Sequence, residues 1–282
     1  MTYDNRAVGV FDSGLGGLTS VRETEKLLPN EDIVYFGDTG RVPYGTRSAQ
    51  AILRYSRSDL RFLLTHNIKA VLIACGTVSS IALEELAENS PVPVIGVVKP
   101  ASRQAARLSE QSCGGVCGRI AVLGTPATVK NGAYVREIKS IKPDAEIYPI
   151  GCPMFVPLVE NGYIDNGNPV TALVAREYAE KLREVKPSSV ILGCTHYPLI
   201  RKNIESALSD ILGYLPHIVD AGASAALELS DMLCAKGITA QVGRKGQSSF
   251  YVSDETQNFS KTASVFLGRK IDAVTRIDIE KF

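Results

Sequence analysis

Two cysteines stand at the ends of similar apolar runs. Ala70-Val71-Leu72-Ile73-Ala74-Cys75-Gly76-Thr77 and Ser189-Val190-Ile191-Leu192-Gly193-Cys194-Thr195-His196 share one plan: an apolar strand, a small residue, a thiol and a threonine-containing turn. A thiol has an ordinary pKa of about 8.5, which a nearby cation or a helix N-terminus lowers. Each cysteine reads as lying just before a helix, so each could supply thiolate at neutral pH. Two facing thiols, one charged and one protonated, form an acid–base pair. One can take a proton from one face of a carbon while the other returns a proton to the opposite face, which is what inverting a stereocentre requires. Taken singly, either cysteine reads as a small inert core residue; the matched pair is what points to chemistry.

Other residues could assist. Asp12-Ser13-Gly14-Leu15-Gly16-Gly17 joins a strand to a helix, either as a tight turn or as a site for a carboxylate or phosphate with Asp12 at its edge. It is not a dinucleotide fingerprint, because Thr19 stands where the third glycine belongs. Gly37 to Gly45 is a Gly/Pro-rich loop longer than a structural turn needs. His196 could relay protons for Cys194 or cap the next helix. Glu160 ends an apolar run and reads equally as a surface charge or a cleft carboxylate. A metal site built from Cys194, His196, Cys75 and Asp12 lacks supporting ligand spacing. Cys113, Cys117 and Cys234 have no catalytic setting.

These residues need elements to position them. Strand-like runs at Val8–Phe11, Asp32–Phe36, Ala70–Ala74 and Val92–Val98 alternate with helices at Leu18–Leu28, Ser48–Leu64 and Ser79–Ala87. The pattern restarts at Ile120–Leu123, where Thr125 and Pro126 mark a helix start. Strands at Ala145–Tyr148, Ser189–Leu192, His217–Val219 and Ser249–Val252 follow, with helices at Asn168–Glu184, Leu199–Leu212, Ala223–Lys236 and Gln257–Leu267. Gln111 to Gly118 reads as an exposed loop. The alternation predicts an α/β fold of two related halves with mostly parallel sheets. Ligands bind beyond the carboxyl ends of strands in such sheets, which is where both thiols fall.

Composition narrows the function classes. The 282 residues are 45% hydrophobic and 22% charged, with net charge +1. That is a globular composition with no electrostatic footprint for nucleic acid or an anionic membrane. No apolar run approaches the roughly 18 residues of a spanning helix. The polar start, Met1 to Arg6, predicts no signal peptide and so a reducing cytoplasmic compartment, where six cysteines need not pair. Eleven residues precede Asp12, which leaves no room for a long N-terminal regulatory extension.

Four motifs in order resemble the glutamate racemase family of the aspartate/glutamate racemase superfamily. They are Asp12-Ser13-Gly14-Leu15-Gly16-Gly17-Leu18-Thr19, the stretch Tyr35 to Gly45, the segment Cys152 to Glu160, and Gly193-Cys194-Thr195-His196-Tyr197-Pro198-Leu199. The resemblance runs from about Ala7 to beyond Asp220. It implies two pseudo-symmetric flavodoxin-like domains with the active site in the cleft between them. Residues 1–99 with 217–282 would form the first domain and 100–216 the second. It implies a cofactor-free, two-base interconversion of L-glutamate and D-glutamate, the latter feeding bacterial peptidoglycan. Cys75 then matches the base for the D-enantiomer, assisted by Asp12. Cys194 matches the base for the L-enantiomer, assisted by His196, with Glu160 as an auxiliary carboxylate. Asp12, Ser13, Pro43, Tyr44, Gly45, Gly76, Thr77, Thr125, Thr128, Thr195 and His196 fall on substrate-contacting positions. Family members are often dimers, so a homodimer is implied, with no metal, nucleic acid or membrane partner.

One position departs from the family. Gly76 stands where the pattern Cys-Asn-Thr places an asparagine that hydrogen-bonds the substrate. Losing such a bond to a charged group costs about 1.5–3 kcal/mol unless water or a neighbour replaces it. The competing readings are a related racemase or weakened paralogue with another acidic substrate, and a non-catalytic amino-acid binder. Fold alone would also allow a nucleotide- or flavin-binding protein. A pyridoxal-phosphate racemase would need a Schiff-base lysine, for which Lys99 is the one tempting residue.

Overall fold

The apolar runs form parallel strands in a computed structural model of the protein, which describes residues 3–111, 114–115, 117–254, 259–271 and 273–282. The strands are β1 Ala7–Asp12, β2 Ile33–Gly37, β3 Ile68–Ile73, β4 Val94–Gly96, β5 Arg119–Gly124, β6 Glu146–Gly151, β7 Ser189–Leu192, β8 His217–Asp220, β9 Ser248–Val252 and β10 Thr275–Arg276. Every strand pairing among them is parallel. Parallel strands covered on both faces read as unbroken apolar runs rather than alternating ones. β3 and β7 are buried along their whole length, and apart from Lys69 and Ser189 they fit that rule.

The described residues divide into two compact units. One takes the chain up to Val97 and again from Gly222 to Phe282; the other runs from Val98 to Ala221. The first sheet has the order β10-β9-β2-β1-β3-β4 and the second β6-β5-β7-β8. Counted from its own first strand, each unit therefore lays down its strands in the order 2-1-3-4, the beginning of the flavodoxin order. The echo between the two cysteine-bearing strands has this origin: β3 and β7 are the third strands of equivalent sheets. β8 hydrogen-bonds β7, so the second unit runs on to Ala221. β9 then adds beside β2, bringing the C-terminal segment back into the first sheet.

Local signals explain most of the elements. The helix Ala49–Leu64 starts at Ser48, whose hydroxyl accepts from the Ala51 amide. It buries Ile52, Ser56, Asp59, Leu60 and Leu63. Phe62 joins the same core, its ring 5.0 Å from Phe36 and 5.3 Å from Phe282. Thr125 caps the helix Pro126–Asn131 as the Thr-Pro pair predicts.

Several boundaries differ from the sequence reading. The expected helix Ser79–Ala87 is two helices, Gly76–Ile81 and Leu83–Glu88, the first starting directly after Cys75. The expected strand Val92–Val98 shrinks to β4, because Val98 opens a helix that runs to Ser109. Pro100 lies in the first helical turn, where its missing N–H has no intrahelical partner to lose. Helices at Ala133–Ile141 and Phe155–Glu160 were likewise not expected. The last helix is described over Phe259–Leu267; Gln257 and Asn258, where it was expected to begin, lie outside the described residues, as does Cys113.

Candidate active site

Both thiols lie two residues beyond the carboxyl end of a third strand. β3 ends at Ile73 and β7 at Leu192. In the first unit β1 and β3 are neighbours, so the turn after β1 meets the turn after β3. Ser13 Oγ lies 3.3 Å from Cys75 Sγ. Asp12 is buried, and its Oδ2 accepts from the amides of Gly14 at 3.1 Å and Gly17 at 2.9 Å. The carboxylate thereby folds the glycine turn. Gly17 is required for this, since a Cβ there would stand 2.5 Å from the Asp12 Cβ. Tyr35, buried under the turn, donates from its hydroxyl to the Gly14 carbonyl at 2.8 Å.

This setting raises the first thiol instead of lowering it. Burial first, and then the charge of Asp12, push the Cys75 thiol up to about 12, against the opposing hydrogen bonds from Ser13 and the Val78 backbone. The start of a six-residue helix does not overcome that burial. Cys75 is therefore a thiol at neutral pH. Gly76 and Thr77 follow it, both buried in the first helical turn.

The second thiol has a different neighbourhood. Cys194 Sγ is 3.7 Å from His196 Nδ1, and His196 Nε2 is 3.1 Å from Glu160 Oε1. Glu160 comes from the end of the helix Phe155–Glu160 and is half exposed, whereas His196 is buried. Burial works against the imidazolium, but Cys194 and then Glu160 outweigh it and hold His196 up at about 10, against an ordinary 6.5. No helix begins at Cys194, contrary to expectation: a 3-10 turn, Tyr197–Ile200, intervenes before the helix Arg201–Leu212. The histidine, not a helix terminus, supplies the positive charge. Thr195 is buried beside it. Thr125 and Thr128 hydroxyls lie 3.0 Å apart after β5, the strand next to β7.

Pro43, Tyr44 and Gly45 lie in the loop after β2. Tyr44 opens a 3-10 turn, Tyr44–Thr46, and its side chain is fully buried. Its hydroxyl donates to Asp38 Oδ2 and lies 3.1 Å from Asp59 Oδ2. The Tyr44 side chain thus anchors its own loop. Sequence reasoning missed Asp59. Its signal was available: Ile52, Ser56, Asp59 and Leu63 recur at helical spacing, so a carboxylate sits within an apolar stripe. Cys152 is a buried thiol that donates to the Ile150 carbonyl at 3.5 Å and is pushed up to about 12, chiefly by burial. Among the described residues, no group of three His, Cys, Asp or Glu side chains converges as a metal site.

Each unit thus presents one thiol two residues past its third strand, Cys75 raised by burial and Cys194 beside the raised His196. The profile of the Asp/Glu/Hydantoin racemase family matches residues 20–229. The chain is 38% identical over 275 residues to a glutamate racemase of Geobacter metallireducens, covering 98% of this chain and 97% of that protein. It is 40% identical over 268 residues to a glutamate racemase of Chlorobaculum tepidum, covering 95% and 94%. Its fold matches the crystal structure of glutamate racemase from Francisella tularensis in complex with D-glutamate. That match has a TM-score of 0.87 at 32% identity and covers 99% of this chain and 100% of that one.

Proposed function

This chain belongs to the Asp/Glu/hydantoin racemase family and is an amino-acid racemase, and we propose that it interconverts L- and D-glutamate with Cys75 and Cys194 as the two bases. The observation that carries this is the equivalent placement of the two thiols, each two residues past the third strand of its sheet. Glutamate as substrate is supported by near full-length likeness to proteins of that activity and by a relative's complex with D-glutamate.

In the L-to-D direction, Cys194 acts as thiolate beside the His196 imidazolium and takes the Cα proton. The C–H bond breaks and an S–H bond forms. Cys75, held protonated by burial, gives its proton to the other face of the carbanion: its S–H bond breaks and a new C–H bond forms with inverted configuration. The D-to-L direction reverses both transfers, with Asp12 and Ser13 at Cys75 and His196 and Glu160 at Cys194 assisting proton exchange. Ser13, Thr77, Thr125, Thr128 and Thr195 supply hydroxyls for the ammonium and two carboxylates, and Pro43, Tyr44, Gly45 and Gly76 supply backbone groups. The D-glutamate serves peptidoglycan synthesis in the cytoplasm.

The test is incubation of purified protein, without added cofactor, with either enantiomer of glutamate in D₂O. The expected result is racemisation with deuterium entering Cα. Exchange with aspartate and none with glutamate would move the substrate to aspartate. Binding without any exchange would replace the racemase mechanism by a binding role.

A further inference from the structure

The loop after β2 is closed by a buried cluster that the reaction chemistry does not use. Asp38 and Asp59 are both fully buried, Asp38 at the end of β2 and Asp59 within the helix Ala49–Leu64. Arg41 reaches both: Nε donates to Asp38 Oδ2 at 2.6 Å and an Nη2 hydrogen to Asp59 Oδ1 at 2.9 Å. Ser253, just past β9, donates from Oγ to Asp38 Oδ1 at 2.7 Å and accepts from the Gly40 amide at 2.8 Å. Tyr44 links the two acids through its hydroxyl.

Hydrogens and charges must balance here. Asp38 accepts from Arg41, Ser253 and the Tyr44 hydroxyl, which uses the only phenolic hydrogen. The 3.1 Å contact between Tyr44 Oη and Asp59 Oδ2 then lacks a hydrogen unless Asp59 supplies it. Two buried carboxylates would also face one guanidinium. The remaining charged neighbour, Glu280, adds a third acid, 3.4 Å from Arg41 Nη1 but mostly exposed and screened. Arg41 otherwise lies over the Tyr55 ring at 4.4 Å, with Arg54 over the same ring at 5.1 Å.

We infer that Asp59 is a neutral acid that donates to Tyr44, so that the pair carries one carboxylate charge, on Asp38, against Arg41, and that this neutral clasp positions residues 38–47 for an acidic substrate. Burial and then the charge of Asp38 push the Asp59 carboxyl well above the usual carboxylate range, in the same direction. A second anion behind the loop would repel the substrate's carboxylates; the proton removes it. Asp59 is a positioning residue, and this part of the inference rests on the glutamate reading.

Carboxyl ¹³C NMR of protein labelled at the aspartate side chain, with Asp59 assigned by its loss in Asp59→Asn, tests the proton directly. A protonated Asp59 resonance is expected at pH 7 in the wild type, and an ionised one in Asp38→Asn, where the charge moves across. An ionised Asp59 in the wild type overturns the inference, whatever the substrate proves to be. In glutamate turnover, Asp59→Asn keeps the donor and should leave KM within about twofold. Asp59→Leu removes it and should raise KM about tenfold, with kcat changed less. Equal rises in KM for both variants, or a larger effect on kcat, would show that the donated hydrogen does not position the loop.

Discussion

Cys75 and Cys194 occupy the same place in two sheets of the same order, yet their polar surroundings differ. Around Cys75 the polar partners are a neutral hydroxyl, backbone amides and a buried carboxylate already engaged by two glycine amides. Around Cys194 there is an imidazole that Cys194 itself and then a half-exposed carboxylate hold up at about 10. Equivalent topology repeats the position of a thiol but not its electrostatics. An inverting pair needs that asymmetry, because one member must hold the proton that the other lacks. On the proposed mechanism, L-to-D turnover uses Cys75 as the acid and Cys194 as the base.

The comparison breaks most sharply if the thiols are removed. Cys75→Ser and Cys194→Ser should each lower racemisation by on the order of 10³-fold or more. Deuterium exchange into the starting enantiomer should survive better for L-glutamate in Cys75→Ser and for D-glutamate in Cys194→Ser. Identical losses in both directions would remove the assignment of one thiol to each enantiomer. Next in size, Glu160→Gln takes away one of the two groups that hold His196 charged. It should slow L-to-D turnover about tenfold, and the His196 titration followed by proton NMR should move down from about 10. An unmoved titration would show that Glu160 does not support the histidine.

A smaller gain is expected from Gly76→Asn, which restores the side chain of the family pattern beside Cys75. The KM for glutamate should fall by up to about tenfold; a rise would mean that the site is adapted to glycine. The smallest effect is on stability. His196 has its folded pKa above its ordinary 6.5, so its contribution is complete below pH 6.5 and fades as pH rises through about 10. Asp59 likewise binds its proton more tightly when folded, so its contribution is lost as pH rises above its ordinary 3.8. Urea unfolding against pH should show a shallower alkaline decline in His196→Asn than in the wild type. The same slope in both would place the decline elsewhere.

How much of this was legible depended on whether the signal was local. The strand ends carrying Asp12, Cys75 and Cys194 could be read because buried parallel strands are unbroken apolar runs stopped by small residues. The Thr125 cap could be read because its partner amide, Thr128, is three residues away. The helix Val98–Ser109 could not, because Pro100 signals a break unless its place in the first turn is known. The Asp38–Arg41–Tyr44–Asp59 cluster was half visible: the loop motif stood out, but its partners at Asp59 and Ser253 come from distant segments.

By itself the sequence determined the class of fold, the repeat of its two halves, and which two thiols stand at equivalent strand ends. These follow from residue type and periodicity, which act over a few residues. Only the tertiary structure decided that burial and Asp12 raise the Cys75 thiol. It also decided that a histidine, and not a helix terminus, supplies charge at Cys194, and that two buried acids share one guanidinium. A proton's place depends on burial and on charges brought within a few ångströms by distant parts of the chain, and no local pattern of residues records that.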